Sequence, residues 1–279
     1  MGGFIWLASY PKSGNTWTRS FLHNLLKVQD QTHDINDMNV LTNNDNAAAW
    51  YKDLLPRPLE ECTVAEVAQV RPKVHQKIAE AYKGLVFLKT HNALVSHAGV
   101  PMITTSHTAG AIYIVRNPLD VAVSYSPHLN VSIDKAITLM NKVGRMTKNH
   151  DKGAYQILGS WSENVHSWTH RPNRALFVMR YEDMHAKTHE TFGALAKHLL
   201  LNPGKQELER AIELSSFKRL QEQEKKEGFK EKPPMMEIPF FRKGQVGEWR
   251  EMLTKRQIGS IVAANRRQMA RFGYIPKGY

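Results

Sequence analysis

Apolar residues recur along this chain in two periods, and the points where one gives way to the other outline its elements. Residues 4–8, 85–88, 111–115 and 175–179 are short, nearly continuous apolar runs, the pattern of strands buried on both faces. Behind the first run, Trp17, Phe21, Leu22, Leu25 and Leu26 fall on one helical face. Thr63-Val-Ala-Glu66 has the form of a capping box and opens a second helix towards Tyr82, with an interruption expected at Pro72. Another helix starts after Arg116-Asn-Pro and carries Val121, Ser124 and Tyr125. Residues 132–150, 155–170 and 188–201 repeat the helical spacing, and Thr254-Lys-Arg-Gln257 caps a last helix ending near Phe272-Gly273.

Two stretches fit neither period. Residues 28–62 are polar and rich in Asn and Asp, which predicts an irregular, substrate-facing excursion. Residues 222–232 are dense in charge and run into Pro233-Pro234; with so few apolar side chains the segment is expected to be mobile. Strands alternating with helices predict an α/β fold: a single doubly wound parallel sheet flanked by helices, forming one domain over residues 1–279. In such sheets ligands bind where strand carboxyl ends meet helix amino ends.

Composition narrows the setting. With 42% hydrophobic and 23% charged residues the chain reads as an ordinary globule. No apolar run is long enough to cross a bilayer, Met1-Gly-Gly lacks the basic start of a signal peptide, and Cys62 is the only cysteine. A cytoplasmic location is the expectation. The net charge of +12 admits three partners: nucleic acid, an acidic membrane, or a polyanionic small molecule. The basic residues are spread out and accompany no zinc-finger, homeodomain or RNA-recognition signature, so charge alone does not choose.

The turn between the first strand and its helix bears on that choice. Tyr10-Pro-Lys-Ser-Gly-Asn-Thr-Trp17 aims a helix amino end, the mobile charge of Lys12 and the hydroxyls of Ser13 and Thr16 at one spot, which suits a phosphate. It is P-loop-like without being a Walker sequence, because Lys12 precedes the loop's only glycine, Gly14. This octapeptide resembles the phosphosulfate loop of the sulfotransferases that use 3′-phosphoadenosine 5′-phosphosulfate (PAPS). Lys89-Thr-His91 resembles that family's catalytic element. Arg116-Asn-Pro-Leu-Asp-Val-Ala-Val-Ser124 resembles its 3′-phosphate element, and Arg242-Lys-Gly-Gln-Val-Gly-Glu-Trp249 its C-terminal signature. The matches keep their order over residues 4–250. The general look is closest to the bacterial small-molecule and natural-product members.

The resemblance implies sulfuryl transfer from PAPS to a hydroxyl or amine of a small acceptor. PAPS would be the co-substrate, no metal would be required, and neither nucleic acid nor membrane would be a partner. His91 would be the general base, Lys12 would neutralise the leaving oxygen, Lys89 would assist the moving group, and Ser124 would hold the lysine against the 3′-phosphate. Nucleotide contacts would come from Lys12, Ser13, Gly14, Asn15, Thr16 and Trp17, from Arg116 and Ser124, from Tyr181, Ser215, Ser216 and Phe217, and from Arg242, Lys243 and Gly244. Asn15 stands where animal members commonly have Thr, and Asn92-Ala93 replaces the usual Leu-Pro. The family's C-terminal dimer motif is not reproduced, so the oligomeric state stays open. Two rival readings remain at this point: a P-loop kinase of small molecules and a basic nucleotide- or RNA-binding module.

Overall fold

The computed structural model describes residues 3–27 and 34–279, so residues 28–33 of the expected irregular stretch lie outside the described residues. Strand β1 (Gly3–Ser9) is central. β2 (Thr42–Asn44) and β3 (Leu85–Thr90) follow on one side of it. A small antiparallel pair, β4 (Ser96–His97) and β5 (Val100–Pro101), stands apart. β6 (Thr108–Val115) and β7 (Leu176–Arg180) complete the main sheet on the other side. Its order is β2-β3-β1-β6-β7, and every pairing in it is parallel.

The helices are α1 (Asn15–Leu26), α2 (Val64–Ala81), α3 (Pro118–Leu129), α4 (Ile133–Asn141) and α5 (Trp161–Thr169). They continue with α6 (Tyr181–Ala186), α7 (Thr188–His198), α8 (Lys205–Leu214), α9 (Phe217–Glu227), α10 (Trp249–Met252) and α11 (Lys255–Arg271). Alternation along β1 decides which layer each side chain joins. Phe4, Trp6 and Ala8 enter a core with α2, α3, α5 and α11 residues such as Val67, Leu119, Trp161 and Ile261. Leu7 enters the opposite core with Phe21 and Leu22 of α1, Phe192 and Leu195 of α7 and Ala211 of α8. Helices therefore cover both faces, as the doubly wound reading requires. No helix among the described residues is long and apolar enough to cross a membrane.

Four local expectations change. α2 runs through Pro72 without a break, because buried Val67, Arg71, Val74 and Ile78 hold it on both sides of the missing N–H. α4 stops at Asn141, and Gly144 (φ 60°) turns the chain so that residues 145–147 pair with residues 156–158. α5 begins only at Trp161, where Ser160 and Glu163 form a capping box after Gly159 (φ 63°). The charged stretch at residues 222–232 is docked rather than loose. α9 extends to Glu227, Phe229 is buried with Leu220 and Phe241, and Glu231 reaches an interior cation.

A buried ion pair braces the sheet beneath the site. Arg71 and Asp45, both with fully buried side chains, meet at 3.2 Å. Arg71 also donates to the Tyr155 carbonyl at 2.9 Å, and Asn92 donates to the same Asp45 oxygen at 3.1 Å. Burial pushes the Asp45 carboxyl up to about 6, with Arg71 acting the other way. Arg71→Met would leave that carboxylate in the interior without its counter-charge. The expected loss is about 3–5 kcal/mol, a fall in Tm of roughly 6–20 °C for a chain of this size. The loss should shrink as pH falls towards about 6, because without Arg71 the Asp45 carboxyl takes up its proton at a higher pH than in the wild type, and should level off below it, where both are protonated. A thermal melt of the variant that moves by less than about 2 °C would mean the pair contributes little.

Candidate active site

All four motif segments meet at the carboxyl ends of β1, β3, β6 and β7, around a cavity of about 420 Å³. After β1 the main chain turns through Lys12 at φ 66° and Gly14 at φ 104°. Alternating left- and right-handed residues turn neighbouring N–H groups towards one side, which makes an anion-binding concavity. α1 then starts with no side-chain cap and no acidic residue in its first turn, so its free N–H groups are left to a ligand. Gly14 is required twice: its φ is left-handed, and an added Cβ would lie 2.7 Å from the Tyr181 ring.

Charge is concentrated around this loop. Arg116 donates to the Lys12 carbonyl at 2.9 Å and to the Gln245 carbonyl at 3.1 Å. Its guanidinium lies 4.2 Å from the centroid of Tyr181. It thus joins the loop to the segment that carries Arg242, Lys243 and Gly244. That segment is locked by Asp120 of α3, which accepts from the N–H groups of Gly247 (2.8 Å) and Trp249 (3.1 Å). Arg242 and Lys243 share the Glu248 carboxylate, the former as a fork. Burial alone would raise Glu248, but those two cations hold it below the usual carboxylate range.

Lys12 is depressed to about 7, by burial first and then by the charges of Arg116, Lys89 and Arg242. Its ammonium lies 4.0 Å from the centroid of Phe240. Lys89 meets Glu231 at 3.1 Å, and Glu231 also meets the buried Arg19 at 2.7 Å. Burial opposes ionisation of Glu231, yet Lys89 and Arg19 hold it far below the usual carboxylate range.

His91 is ordered by what its ring can donate. Nδ1 lies 2.8 Å from the Ser9 carbonyl. A carbonyl only accepts, so the proton is on Nδ1 and Nε2 carries the lone pair. Burial, followed by the charge of Lys89, pushes the ring down to about 3, so it is neutral at physiological pH.

The structure gathers most of the expected site residues. Lys12, Gly14, Asn15, Thr16, Trp17, Lys89, His91, Arg116, Ser124, Tyr181, Phe217, Arg242, Lys243 and Gly244 line the one cavity. Asn15 has its amide engaged with the Leu7 carbonyl at 2.9 Å, so its side chain braces the loop. Ser216 lines an adjoining pocket with Trp17, His185 and Phe217. Two serines do not reach the cavity. The Ser13 hydroxyl is buried in the loop without a partner, and that of buried Ser215 donates back to Ala211 at 2.7 Å. The cavity also includes Glu231, His128, Arg145 and Phe240, which no motif marked. His128 is pushed down to about 3 by burial and by Lys12.

Comparison with known proteins agrees with this geometry. The sulfotransferase domain family matches residues 4–273. Sulfotransferase 2A6 of Mus musculus is 26% identical over 280 residues, covering 92% of each chain. Cytosolic sulfotransferase 13 of Arabidopsis thaliana is 24% identical and covers 90% of this chain and 72% of its own. Among solved structures, mouse sulfotransferase SULT7A1 complexed with PAP aligns with a TM-score of 0.61 at 19% identity, over 96% of this chain and 84% of that one. Retinol dehydratase in a complex with retinol and PAP gives 0.63 at 17% identity, over 95% and 81%. At such identities these two likenesses speak for the fold. With the family match spanning nearly all of its length, the chain belongs to the PAPS-dependent sulfotransferase family.

Proposed function

We propose that this protein moves the sulfuryl group of PAPS onto a hydroxyl, or an amine, of a small acceptor, with His91 as the general base and PAP, 3′,5′-diphosphoadenosine, as the second product. The observation that carries the reading is the meeting of two separate cationic grips with a neutral histidine, His91, whose Nε2 is bare. The loop N–H groups, Thr16 and Lys12 would hold the 5′-phosphosulfate. Arg116, Ser124, Arg242, Lys243 and Gly244 would hold the 3′-phosphate, with Arg242 and Lys243 trading the Glu248 carboxylate for it. Trp17, Tyr181, Ser216 and Phe217 would enclose the adenine. PAP in the solved complexes of two fold relatives supports a nucleotide of this kind as the ligand. The match over residues 4–273 supports one sulfotransferase domain.

Transfer is an in-line displacement. The acceptor oxygen forms a bond to sulfur as the bond from sulfur to the bridging phosphate oxygen breaks, and the acceptor proton passes to His91 Nε2. The transition state is loose, so most of the developing charge falls on the leaving oxygen, where Lys12 acts. Lys89 would assist the equatorial oxygens once it exchanges Glu231 for the sulfuryl group. PAP at about 100 times its Kd should raise stability by about 2.7 kcal/mol, roughly 5–11 °C in Tm. Adenosine 5′-phosphosulfate, which lacks the 3′-phosphate, should shift the melt much less, and Arg116→Ala should blunt the PAP shift. Equal shifts by the two nucleotides would remove the second grip.

A further inference from the structure

The acceptor end of the cavity holds a cation that donor chemistry does not use. Arg145 lines the same space as Lys12 and His91. Its backbone is fixed, because its carbonyl accepts from the N–H groups of Leu158 (2.9 Å) and Gly159 (3.0 Å). Its guanidinium donates to the Tyr125 hydroxyl at 3.0 Å and lies 5.3 Å from the centroid of that ring. Among the described residues no carboxylate lies within ion-pair distance of it. Glu163, which borders the same turn, is taken up by the N–H groups of Gly144 (2.9 Å) and Ser160 (2.7 Å).

The other Lys and Arg of the cavity are accounted for. Lys89 has Glu231, Arg242 and Lys243 share Glu248, and Lys12 and Arg116 face the donor. Arg145 is separated from Lys12 by an aromatic wall. Phe240 lies under Lys12, His128 meets Phe240 at 6.0 Å, and His128 stacks on Tyr125 at 5.9 Å. Leu129 and Leu158 add apolar lining to the same cavity. A half-buried guanidinium beyond an apolar wall, without a counter-charge, is the arrangement that recognises a planar anion on an otherwise apolar molecule.

Resting on the sulfotransferase reading above, we propose that the acceptor is a hydroxylated carboxylic acid, with its hydroxyl at His91 and its carboxylate on Arg145. The separation matters physically. A carboxylate near the phosphosulfate would be repelled by the donor's own charge, whereas one beyond the Phe240–His128–Tyr125 wall meets only the guanidinium. The proposal explains how the site can bind two anionic substrates together.

The test uses hydroxyphenyl-alkanoic acids of graded chain length beside their uncharged amides. For each pair, kcat/KM with PAPS is measured on wild type, Arg145→Gln and Arg145→Lys, and binding to the protein with and without PAP is followed by calorimetry. Thermal melts establish that the variants fold. The best acid should exceed its amide by at least about tenfold in kcat/KM, mostly through KM, as expected for a hydrogen-bonded charge. That ratio should fall towards one in Arg145→Gln and be partly kept in Arg145→Lys. Equal use of acid and amide by wild type, or an unchanged ratio in Arg145→Gln, overturns the proposal while leaving sulfuryl transfer intact. Acids that bind through Arg145 without being sulfated would support the anion site and overturn the transfer reading. Absence of acid binding overturns the proposal whatever PAPS does.

Discussion

Replacing His91 with Asn is expected to lower turnover by about 10²- to 10⁴-fold, the range typical of losing a positioned base, while PAP affinity stays within a few-fold of wild type. The split follows from geometry. Nδ1–H is committed to the Ser9 carbonyl at 2.8 Å, so Nε2 is the only ring atom free to take a proton, in a ring that lines the cavity. The ring's depression to about 3 comes from burial and from Lys89. An anionic donor beside Lys89 and Lys12 offsets those positive charges, so the same imidazole becomes a stronger base once PAPS is bound.

The sign of the pH effect follows. A depressed pKa means the base form is populated at every pH above about 3 in the free enzyme. The acid limb of kcat/KM should therefore lie well below the ~6.5 of an ordinary imidazole. Turnover and PAP affinity measured side by side for wild type, His91→Asn and His91→Ala decide the matter. If either variant keeps more than about a tenth of wild-type turnover, against that expected loss, the base is another group. His128, the other cavity histidine, is the first to try.

What the sequence disclosed about this site and what it hid have different physical origins. β1, β3, β6 and β7 were legible because a strand buried on both faces needs an unbroken apolar run. Lys12, His91 and Arg116 were legible because each comes within four residues of the end of such a run, and sheet geometry then brings them together. β2 was not: Thr42-Asn-Asn44 has no apolar pattern, and it is a strand only because it pairs with residues 87–89 of β3. Glu231 hid in a charged stretch because its partners, Arg19 and Lys89, lie more than a hundred positions away. Composition registers a solvated run there, while the fold uses one of its carboxylates to neutralise a buried guanidinium. Ser215 misled for the opposite reason. It belongs to a segment, Ser215-Ser216-Phe217, that resembles the family's adenosine-side contacts, but a serine at a helix end can satisfy its hydroxyl on the preceding turn. His128 and Arg145 face the cavity through the course of α3 and of residues 142–160, which long-range backbone pairing sets and periodicity does not.

Lys12→Ala should differ from His91→Asn by damaging both measurements. Loss of a charged hydrogen bond to the 5′-phosphate should weaken PAP by about 10- to 100-fold, the equivalent of about 1.5–3 kcal/mol. Turnover at saturating PAPS should fall by about 10²- to 10³-fold, as when a preorganised donor to a developing oxyanion is removed. Lys12 also gives donor binding a pH dependence of defined sign. In the empty cavity it titrates at about 7, because burial and the neighbouring cations disfavour its charge. The bound phosphate favours the ammonium, so binding above pH about 7 takes up a proton. Below that pH the ammonium is already formed and PAP affinity should be flat on this account. Above it, Kd should rise by up to about tenfold per pH unit until the value in the complex is reached. Calorimetry of PAP binding in two buffers of different ionisation enthalpy, at about pH 6 and about pH 8.5, reads the uptake directly, with up to about one proton expected at the higher pH. Lys12→Ala should abolish both the uptake and the slope. A wild-type affinity that is level across that range, or a slope that survives in Lys12→Ala, would mean that Lys12 stays charged in the empty site and that another group carries the linkage.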